Sequence, residues 1–381
     1  MNLKAILPSA LLLSMGLALG CSSDKAATTD ASSDKPVRAV AADDKPAPQT
    51  ELEKYAALGY RLEWRGSGLV SRGGRSLFFT PSNDILLFQD TGNTLTCLDA
   101  DTGRSRWATS PERKITRFVG NARRDDRVYA ASQSELFVLD ARTGEPLERH
   151  QLAIVVDSPP LLVGNMAVFG GAAGEVLGHN LLSTYKQWGY RLDGAIKAFP
   201  VLAAGTVGVV SQGGDVIILD PIDGSSYGRS RVYGPLQNNP VASDSHLFVA
   251  STDQSVYAFR LSDGSLDWRS RNERPITDQP AFHNGRLYVS IPMRGMVCFD
   301  AMSGDEIWTA KEVSGEILGV RDGRLIAWDG ADAVALDPAN GDEVVRVTLP
   351  GIWQLVIDGF DNGPIYAVTA DGKVSKFGPR F

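Results

Sequence analysis

The segment FDAMSGDEIW fills residues 299–308, and LDADTGRSRW at residues 98–107 repeats its pattern. In both segments an apolar run ends at Asp, a Gly follows four residues later, and a Trp ends the segment. The Gly suits a tight turn because it adopts positive φ angles at little cost. Related segments, some without the Asp, the Gly or the Trp, lie at residues 139–148, 179–188, 219–228, 259–268 and 336–345.

Prolines mark the same repeat independently. Pro160, Pro200, Pro240 and Pro280 are each 40 residues apart, in register with the polar residues that end the apolar runs. Two markers that share one period make a chance pattern very improbable, so the chain is predicted to be a repeat protein. A proline has no amide hydrogen to donate, and it therefore favours the edge of a β-sheet.

Each period contains four short segments with strand character. Around residue 280 these are residues 279–282, 286–291, 296–300 and 306–311, separated by polar turns. Four antiparallel strands in about 40 residues are typical of one blade of a β-propeller. The innermost strand of a blade is an edge that faces the central channel, and the periodic prolines fit this position.

The two ends of the repeat region predict how the ring closes. The last copy, near residues 373–377, has no fourth strand after it, whereas residues 60–64 resemble a fourth strand with no blade before it. We therefore expect an all-β, eight-bladed β-propeller over residues 53–381, whose N-terminal strand completes the last blade and leaves no free sheet edge. The eight third strands are expected at residues 94–99, 135–140, 175–180, 215–220, 255–260, 295–300, 332–337 and 373–377.

The repeated segment resembles the PQQ-like (quinoprotein-type) β-propeller repeat family, whose pattern is Leu-Asp-Ala-x-Thr/Ser-Gly-x-x-x-Trp. The resemblance extends over nearly all of the chain after its N-terminal region. In that family the Trp packs between neighbouring blades. The resemblance implies this structural role, rather than ligand binding, for Trp64, Trp107, Trp188, Trp268 and Trp308.

The composition indicates a globular protein and argues against a nucleic-acid-binding one. The chain has 381 residues, of which 43% are hydrophobic and 22% are charged, so it is able to bury a large core. Its net charge is −7 and its pI is about 5.3, which argues against a nucleic-acid-binding protein with a basic surface.

The first residues indicate export and lipid attachment. Residues 1–20 combine a lysine with an apolar stretch that is too short to span a membrane, as in a secretory signal peptide. The segment LALGC at residues 17–21 resembles a bacterial lipobox, and this resemblance implies a lipoprotein whose Cys21 carries the lipid, including a palmitate-type acyl chain. Ser22 implies sorting to the periplasmic side of the outer membrane in a diderm host.

Residues 21–52 are predicted to form a disordered tether between the lipid and the propeller. They are rich in Ser, Thr, Asp, Lys, Ala and Pro and contain no aromatic residue. Such a segment buries too little apolar surface to offset the entropy that ordering would cost. A short helix is expected over residues 51–58, next to the propeller.

A quinoprotein enzyme is not favoured. A resemblance to the dehydrogenases of the repeat family would imply a longer chain than this one. It would also imply an adjacent pair of cysteines that covers the cofactor. Cys97 and Cys298 are instead predicted in blades five apart, too far for a disulfide, so we interpret them as small buried residues. We therefore predict no catalytic residue and no cofactor.

No metal site is predicted either. The four histidines, His150, His179, His246 and His283, lack the spacing of metal ligands. Of these, His246 and His283 are expected in solvated turns. The acidic loop at residues 358–363 lacks the spacing of an EF-hand calcium site, and an ordinary polar turn is the preferred interpretation.

A ring of polar residues is expected at one mouth of the channel, because these residues precede the periodic prolines. Such a ring is either a hydrated entrance, which is the preferred interpretation, or a site for a small ligand or a peptide end. The candidate residues are Asp157, Lys197, Asn238, Asn239, Asp278 and Gln279, together with Ser158.

The lipobox and the eight PQQ-like blades together resemble the BamB-type lipoproteins of the outer-membrane β-barrel assembly machinery. The resemblance implies a monomeric, lipid-anchored, non-enzymatic scaffold, whose partners are barrel-assembly subunits or unfolded outer-membrane clients, and which binds no nucleic acid. The alternative is a periplasmic or surface receptor that binds a ligand in the channel. A relative of the PQQ-dependent dehydrogenases is the least favoured of the three hypotheses.

Overall fold

The computed structural model describes residues 49–112 and 116–380. The predicted signal peptide, Cys21 and most of the predicted tether lie outside these described residues. No helix in the described part of the chain is long and apolar enough to cross a membrane. A short helix, α1 (Glu51–Ala57), is present next to the propeller.

Strands of the described residues form eight antiparallel sheets of four strands each, which are the blades of a β-propeller. Blade 1 contains β2 (Ser76–Ser82), β3 (Ile85–Asp90), β4 (Leu95–Asp99) and β5 (Ser105–Thr109). Blade 2 contains β6 (Phe118–Arg124), β7 (Arg127–Ser132), β8 (Glu135–Asp140) and β9 (Pro146–Gln151). Blade 3 contains β10 (Leu161–Val163), β11 (Met166–Gly170), β12 (Glu175–Asn180) and β13 (Lys186–Arg191). Blade 4 contains β14 (Val201–Ala203), β15 (Thr206–Val210), β16 (Asp215–Leu219) and β17 (Ser226–Arg231).

The second half of the ring repeats this arrangement. Blade 5 contains β18 (Val241–Ala242), β19 (His246–Ala250), β20 (Ser255–Arg260) and β21 (Leu266–Arg271). Blade 6 contains β22 (Ala281–His283), β23 (Arg286–Ile291), β24 (Gly295–Asp300) and β25 (Glu306–Ala310). Blade 7 contains β26 (Glu316–Arg321), β27 (Arg324–Trp328), β28 (Asp332–Leu336) and β29 (Glu343–Thr348). Blade 8 contains β30 (Ile352–Ile357), β31 (Ile365–Thr369), β32 (Lys373–Pro379) and, as its fourth strand, β1 (Tyr60–Ser67).

The all-β, eight-bladed propeller predicted from the repeat is therefore confirmed. Third strands such as β12 and β20 have the predicted bounds. Second and third strands are apolar runs rather than alternating ones because neighbouring blades cover both of their faces. In β3 and β16, for example, every residue is buried.

First strands of neighbouring blades contact one another, so they surround the central channel. We call one face of the ring the connection face, because it carries the loops that join the fourth strand of one blade to the first strand of the next. These loops include residues 152–160, 192–200, 232–240 and 272–280. The opposite face, which we call the turn face, carries the turns between third and fourth strands.

The ring closes as predicted, because β1 pairs antiparallel with β32 from Tyr60 opposite Pro379 to Ser67 opposite Lys373. The buried guanidinium of Arg321 strengthens this closure. It donates to the carbonyl oxygen of Gly59 at 2.9 Å and also to that of Arg380, so it joins the residue before β1 and the residue after β32 to blade 7.

Helix α1 covers the closing blade. Thr50 caps its first turn: Thr50 N donates to Glu53 Oε2 at 2.8 Å, and Glu53 N donates to Thr50 Oγ1 at 3.4 Å. On the buried side of the helix, the ring of Tyr55 stacks on Phe377 of β32 with centroids 3.6 Å apart. The helix therefore shields the junction between the N-terminal and C-terminal strands from water.

Five tryptophans connect one blade to the next in the same way. Each indole Nε1 donates to a backbone oxygen in the third-to-fourth-strand turn of the following blade, at 2.9 to 3.1 Å. The glycine of that turn has a positive φ and lies against the indole. The pairs are Trp64 with Gly103, Trp107 with Gly144, Trp188 with Gly224, Trp268 with Gly304, and Trp308 with Gly341.

This contact explains the repeated motif. A Cβ built on Gly341 would lie 2.5 Å from the Trp308 ring, so only glycine permits the approach. The Asp that begins each turn shapes it: Asp300 Oδ1, for example, accepts from the backbone N of Met302 and of Ser303 at 2.9 Å.

We predict that Trp308→Ala destabilises the protein by about 3–5 kcal/mol, because it leaves a cavity between two blades and removes a buried hydrogen bond. Trp353→Ala is the matched control, since Trp353 is 39% exposed; it should change the free energy of unfolding by less than about 1 kcal/mol. Urea unfolding followed by circular dichroism measures both. Equal effects of the two substitutions would contradict the docking role of Trp308.

Candidate functional site

The connection face carries the candidate channel residues on ordered loops. In the loop at residues 232–240, every second residue is buried, from Val232 to Pro240. The residues between them point outward, and Tyr233 is 89% exposed. Anchoring of alternate side chains holds such a loop in one conformation, so its outward residues form a preorganised surface.

Four of the predicted residues tie neighbouring blades together at the channel mouth. Asn239 accepts from the backbone N of Phe199 at 2.9 Å and donates to Gln279 Oε1 at 2.8 Å. The neighbouring Asn238 donates through Nδ2 to the backbone oxygen of Asp278 at 3.1 Å. These contacts join blades 4, 5 and 6, so the amides of Asn238 and Asn239 are occupied by structural hydrogen bonds.

The other two predicted residues, Asp157 and Lys197, line one cavity of about 590 Å³. Asp157 is in the loop before blade 3, and Lys197 is in the loop before blade 4. The cavity also contains Arg117, whose Nη2 lies 3.3 Å from Asp157 Oδ1. Ser158 does not line it; its hydroxyl instead accepts from the backbone N of Gly170 at 2.7 Å.

A second cavity of about 520 Å³ lies along the channel between blades 4 and 8, and Gln279 is in its wall. Glu316 and Gln354 also line it. The side chain of Glu316 still reaches water, yet the surrounding channel wall partly desolvates it and raises its pKa, and the negative charge of Asp278 raises it further. This part of the channel therefore opposes additional negative charge.

Sequence reasoning missed Arg117 and Glu316 because their blades lack the periodic proline. Arg117 lies 40 residues before Asp157, so extending the register of the repeat by one period would have identified it. Glu316 is harder to identify, because the spacing between repeats shortens near blade 7.

Neither buried cysteine is suited to act as a nucleophile. Cys97 and Cys298 are free thiols with no exposed surface. Burial raises the pKa of Cys97 to about 11 and that of Cys298 to about 12, so both stay protonated near neutral pH. Each fills space between blades as a small apolar side chain.

The loop at residues 358–363 packs against the ring. Asp361 lies 3.3 Å from His283 Nε2, and the ring of Phe360 stacks on His283 with centroids 4.6 Å apart. Burial raises the pKa of Asp358, which weakens it as a cation ligand. Across residues 49–112 and 116–380, no group of three His, Cys, Asp or Glu side chains is placed to hold a metal ion.

The expectation that His246 and His283 are solvated is wrong. His246 is 4% exposed, and its Nε2 lies 3.1 Å from Asp267 Oδ2. His283 is half-buried by the contacts just described. Both turns pack against a neighbouring strand or loop, which the repeat pattern alone does not reveal.

The remaining two histidines form a buried pair between blades 2 and 3. His150 Nδ1 lies 3.0 Å from His179 Nε2, and His150 Nε2 lies 2.9 Å from Glu148 Oε2. The hydrogen bond from His150 lowers the pKa of Glu148, which also pairs with Arg127 at 2.6 Å. Glu148 stands where other blades have the docking Trp, so a polar chain replaces the indole contact at this junction.

The hydrogen-bond pattern determines which nitrogen of His179 carries the proton. When His150 is neutral and donates to Glu148, its Nδ1 accepts from His179 Nε2. His179 Nδ1 is then unprotonated, and it is buried with no hydrogen-bond partner. Burial, and secondarily the charge of His150, lowers the pKa of His179 to about 4.

We predict that the blade 2–blade 3 junction weakens in acid. The unfolded chain protonates His179 near its ordinary pKa of about 6.5, whereas the folded protein resists protonation down to about 4. The stability that neutral His179 contributes is therefore complete above about pH 6.5 and is lost as the pH falls to about 4. The loss is roughly 3 kcal/mol.

Urea unfolding of the wild type and of His179→Gln, measured from pH 7 to pH 4, tests this. Gln retains a donor for His150 but cannot be protonated, so the variant should lose roughly 3 kcal/mol less than the wild type over this range. Parallel pH profiles for the two proteins would show that His179 does not titrate as described.

Comparison with known proteins gives a family match and a fold match. The sequence matches the family described as outer membrane protein assembly factor BamB, over residues 35–198, 188–293 and 293–379. The structure is similar to the crystal structure of BamB from Moraxella catarrhalis, with a TM-score of 0.65 and 21% identity, covering 82% of this chain and 97% of that one. It is also similar to the computationally designed Ika8 protein, with a TM-score of 0.66 and 14% identity, covering 82% of this chain and 99% of that one. No curated protein sequence matches the chain.

Proposed function

Since this chain belongs to the family of the outer membrane protein assembly factor BamB, we propose that it is a non-enzymatic scaffold that binds other proteins during outer-membrane protein assembly. The family match, which extends over most of the propeller, is the observation that carries this proposal. The proposed partners are subunits of the β-barrel assembly machinery or their unfolded outer-membrane clients.

The connection face is the proposed docking surface. Its loops at residues 152–160, 192–200, 232–240 and 272–280 each bury several residues, which anchors them before a partner arrives and reduces the entropy that binding costs. Large apolar side chains stand out from this face among charged ones. They include Val155 (54% exposed), Phe199 (51%), Tyr233 (89%) and Met293 (85%).

Charge pairs at the rim of the connection face support a protein partner. Arg191 pairs with Glu175, and Arg231 pairs with Asp193, both at 2.7 Å; all but Glu175 of these side chains remain largely exposed. Protein interfaces commonly combine exposed aromatic anchors with a polar rim of this kind.

We further propose that Cys21 carries a lipid and that the residues between Cys21 and helix α1 act as a tether on the periplasmic side of the outer membrane; the last two residues of the predicted tether, Glu51 and Leu52, instead belong to α1. The lipobox-like segment at residues 17–21 and the composition of the following residues support this. A lipid anchor would keep the propeller close to the membrane where outer-membrane proteins assemble.

A dehydrogenase role has less support. Cys97 and Cys298 lie in blades 1 and 6, so no adjacent cysteine pair is available to cover a quinone. Both thiols are fully buried, and their raised pKa values keep them unreactive.

Photocrosslinking in the host tests the docking surface. A photoreactive phenylalanine analogue is placed at Tyr233 on the connection face or, as the matched control, at Tyr185 on the turn face, which is 74% exposed. We expect the probe at Tyr233 to crosslink to a barrel-assembly protein or an outer-membrane client, and the probe at Tyr185 to give at most a trace of it.

The docking proposal is contradicted if the probe at Tyr185 captures such a protein and the probe at Tyr233 does not. It also fails if neither position crosslinks although both variants accumulate normally in the membrane fraction.

A further inference from the structure

The cavity of about 590 Å³ at the channel mouth combines cationic, anionic and aromatic side chains. We propose that it binds a ligand with a carboxylate, an N–H donor next to that carboxylate and an apolar side chain. A free amino acid and the last residue of a peptide both have these groups. The inference is independent of the proposed scaffold function, because it rests only on the cavity between blades 1 and 4.

Two cationic groups attract the carboxylate. Lys197 is exposed and makes no ion pair or hydrogen bond with the described residues. The side chain of Arg117 is 65% exposed and is paired only through Nη2 with Asp157, so other N–H groups of its guanidinium remain open to the cavity. The three charged groups sum to a net charge of +1, which favours a single anionic group in the ligand.

Asp157 supplies the acceptor for the N–H donor. Its side chain is 6% exposed, and Oδ1 is buried without a hydrogen bond, because the 3.3 Å contact with Arg117 lacks hydrogen-bond geometry. Because this oxygen is ion-paired but accepts no hydrogen bond, a ligand that brings an N–H group gains by donating to it. The backbone N of Asp157 already donates to Gly170, so the loop that holds this carboxylate is fixed.

Aromatic side chains form the apolar part of the wall. Phe199 is 51% exposed beside Lys197, and Phe78 is half-buried on the blade 1 side. The backbone of Phe199 is held by Asn239, which places the ring at the cavity edge before any ligand binds. A volume of about 590 Å³ is within the usual range for small-molecule sites and accommodates an amino acid or a short peptide end.

The opposite side of the channel disfavours the same ligand. Glu316 lines the second cavity, and its partial desolvation, together with the nearby negative charge of Asp278, raises its pKa. The carboxylate of the ligand would be repelled there, so this second cavity suits the proposed ligand less well than the cavity that contains Arg117 and Lys197.

Calorimetric titration of the full-length protein with three related compounds tests the chemistry. N-acetylphenylalanine has the carboxylate, the N–H group and the ring. N-acetylphenylalaninamide lacks the carboxylate, and 3-phenylpropionate lacks the N–H group. We expect the first compound to bind about tenfold or more tightly than either of the others, because each lacks one charge-assisted hydrogen bond.

A substitution locates the site. Lys197→Gln should weaken binding of N-acetylphenylalanine at least about fivefold, whereas Lys186→Gln, at an exposed lysine near the turn face, should leave it unchanged. Unchanged thermal unfolding of both variants would show that the difference is not a folding defect.

A tripeptide ending in Phe, compared with free phenylalanine, identifies the source of the carboxylate. Tighter binding of the tripeptide indicates a peptide end, and tighter binding of phenylalanine indicates a free amino acid. The proposal is overturned if N-acetylphenylalanine gives no binding, if its amide binds equally well, or if Lys197→Gln has no effect.

Discussion

The contact between a tryptophan of one blade and a glycine turn of the next is the interaction on which the ring depends. The indole donates to a turn carbonyl, and the glycine allows the backbone to lie on the ring face. The same residues thus satisfy a buried N–H group, exclude water between blades and set the distance between them. Five of the eight junctions use this contact.

The junction between blades 2 and 3 shows what happens when the contact is absent. Glu148 replaces the Trp, and in the following blade Thr184 occupies the position of the turn glycine, still with a positive φ of 63°. Without an indole close by, a Cβ finds room at this position. Hydrogen-bonded side chains from Arg127 through Glu148 and His150 to His179 fill the space instead. They introduce His179, whose protonation in acid destabilises the folded protein.

Much of the fold follows from the sequence because the repeat places local signals in register. The bounds of the third strands to within two residues, the closing role of residues 60–64 and the repeated glycine turn could each be predicted from spacing alone. The pairing of His150 with His179 could not, because it joins residues 29 apart in different blades. Likewise, the hydrogen bonds that occupy Asn238 and Asn239 depend on how the loops of adjacent blades meet, so the sequence placed these residues at the channel mouth without revealing their structural role.

The family match, together with the anchored connecting loops, supports the central proposal that this propeller is an envelope scaffold for outer-membrane protein assembly. Affinity isolation of the full-length protein from host membranes, beside Cys21→Ala, tests that claim most directly. The account predicts that the wild type brings down barrel-assembly proteins and that the variant, without its proposed lipid, brings down far less. A wild-type protein that is present in the membrane fraction but isolates without any barrel-assembly protein would contradict it.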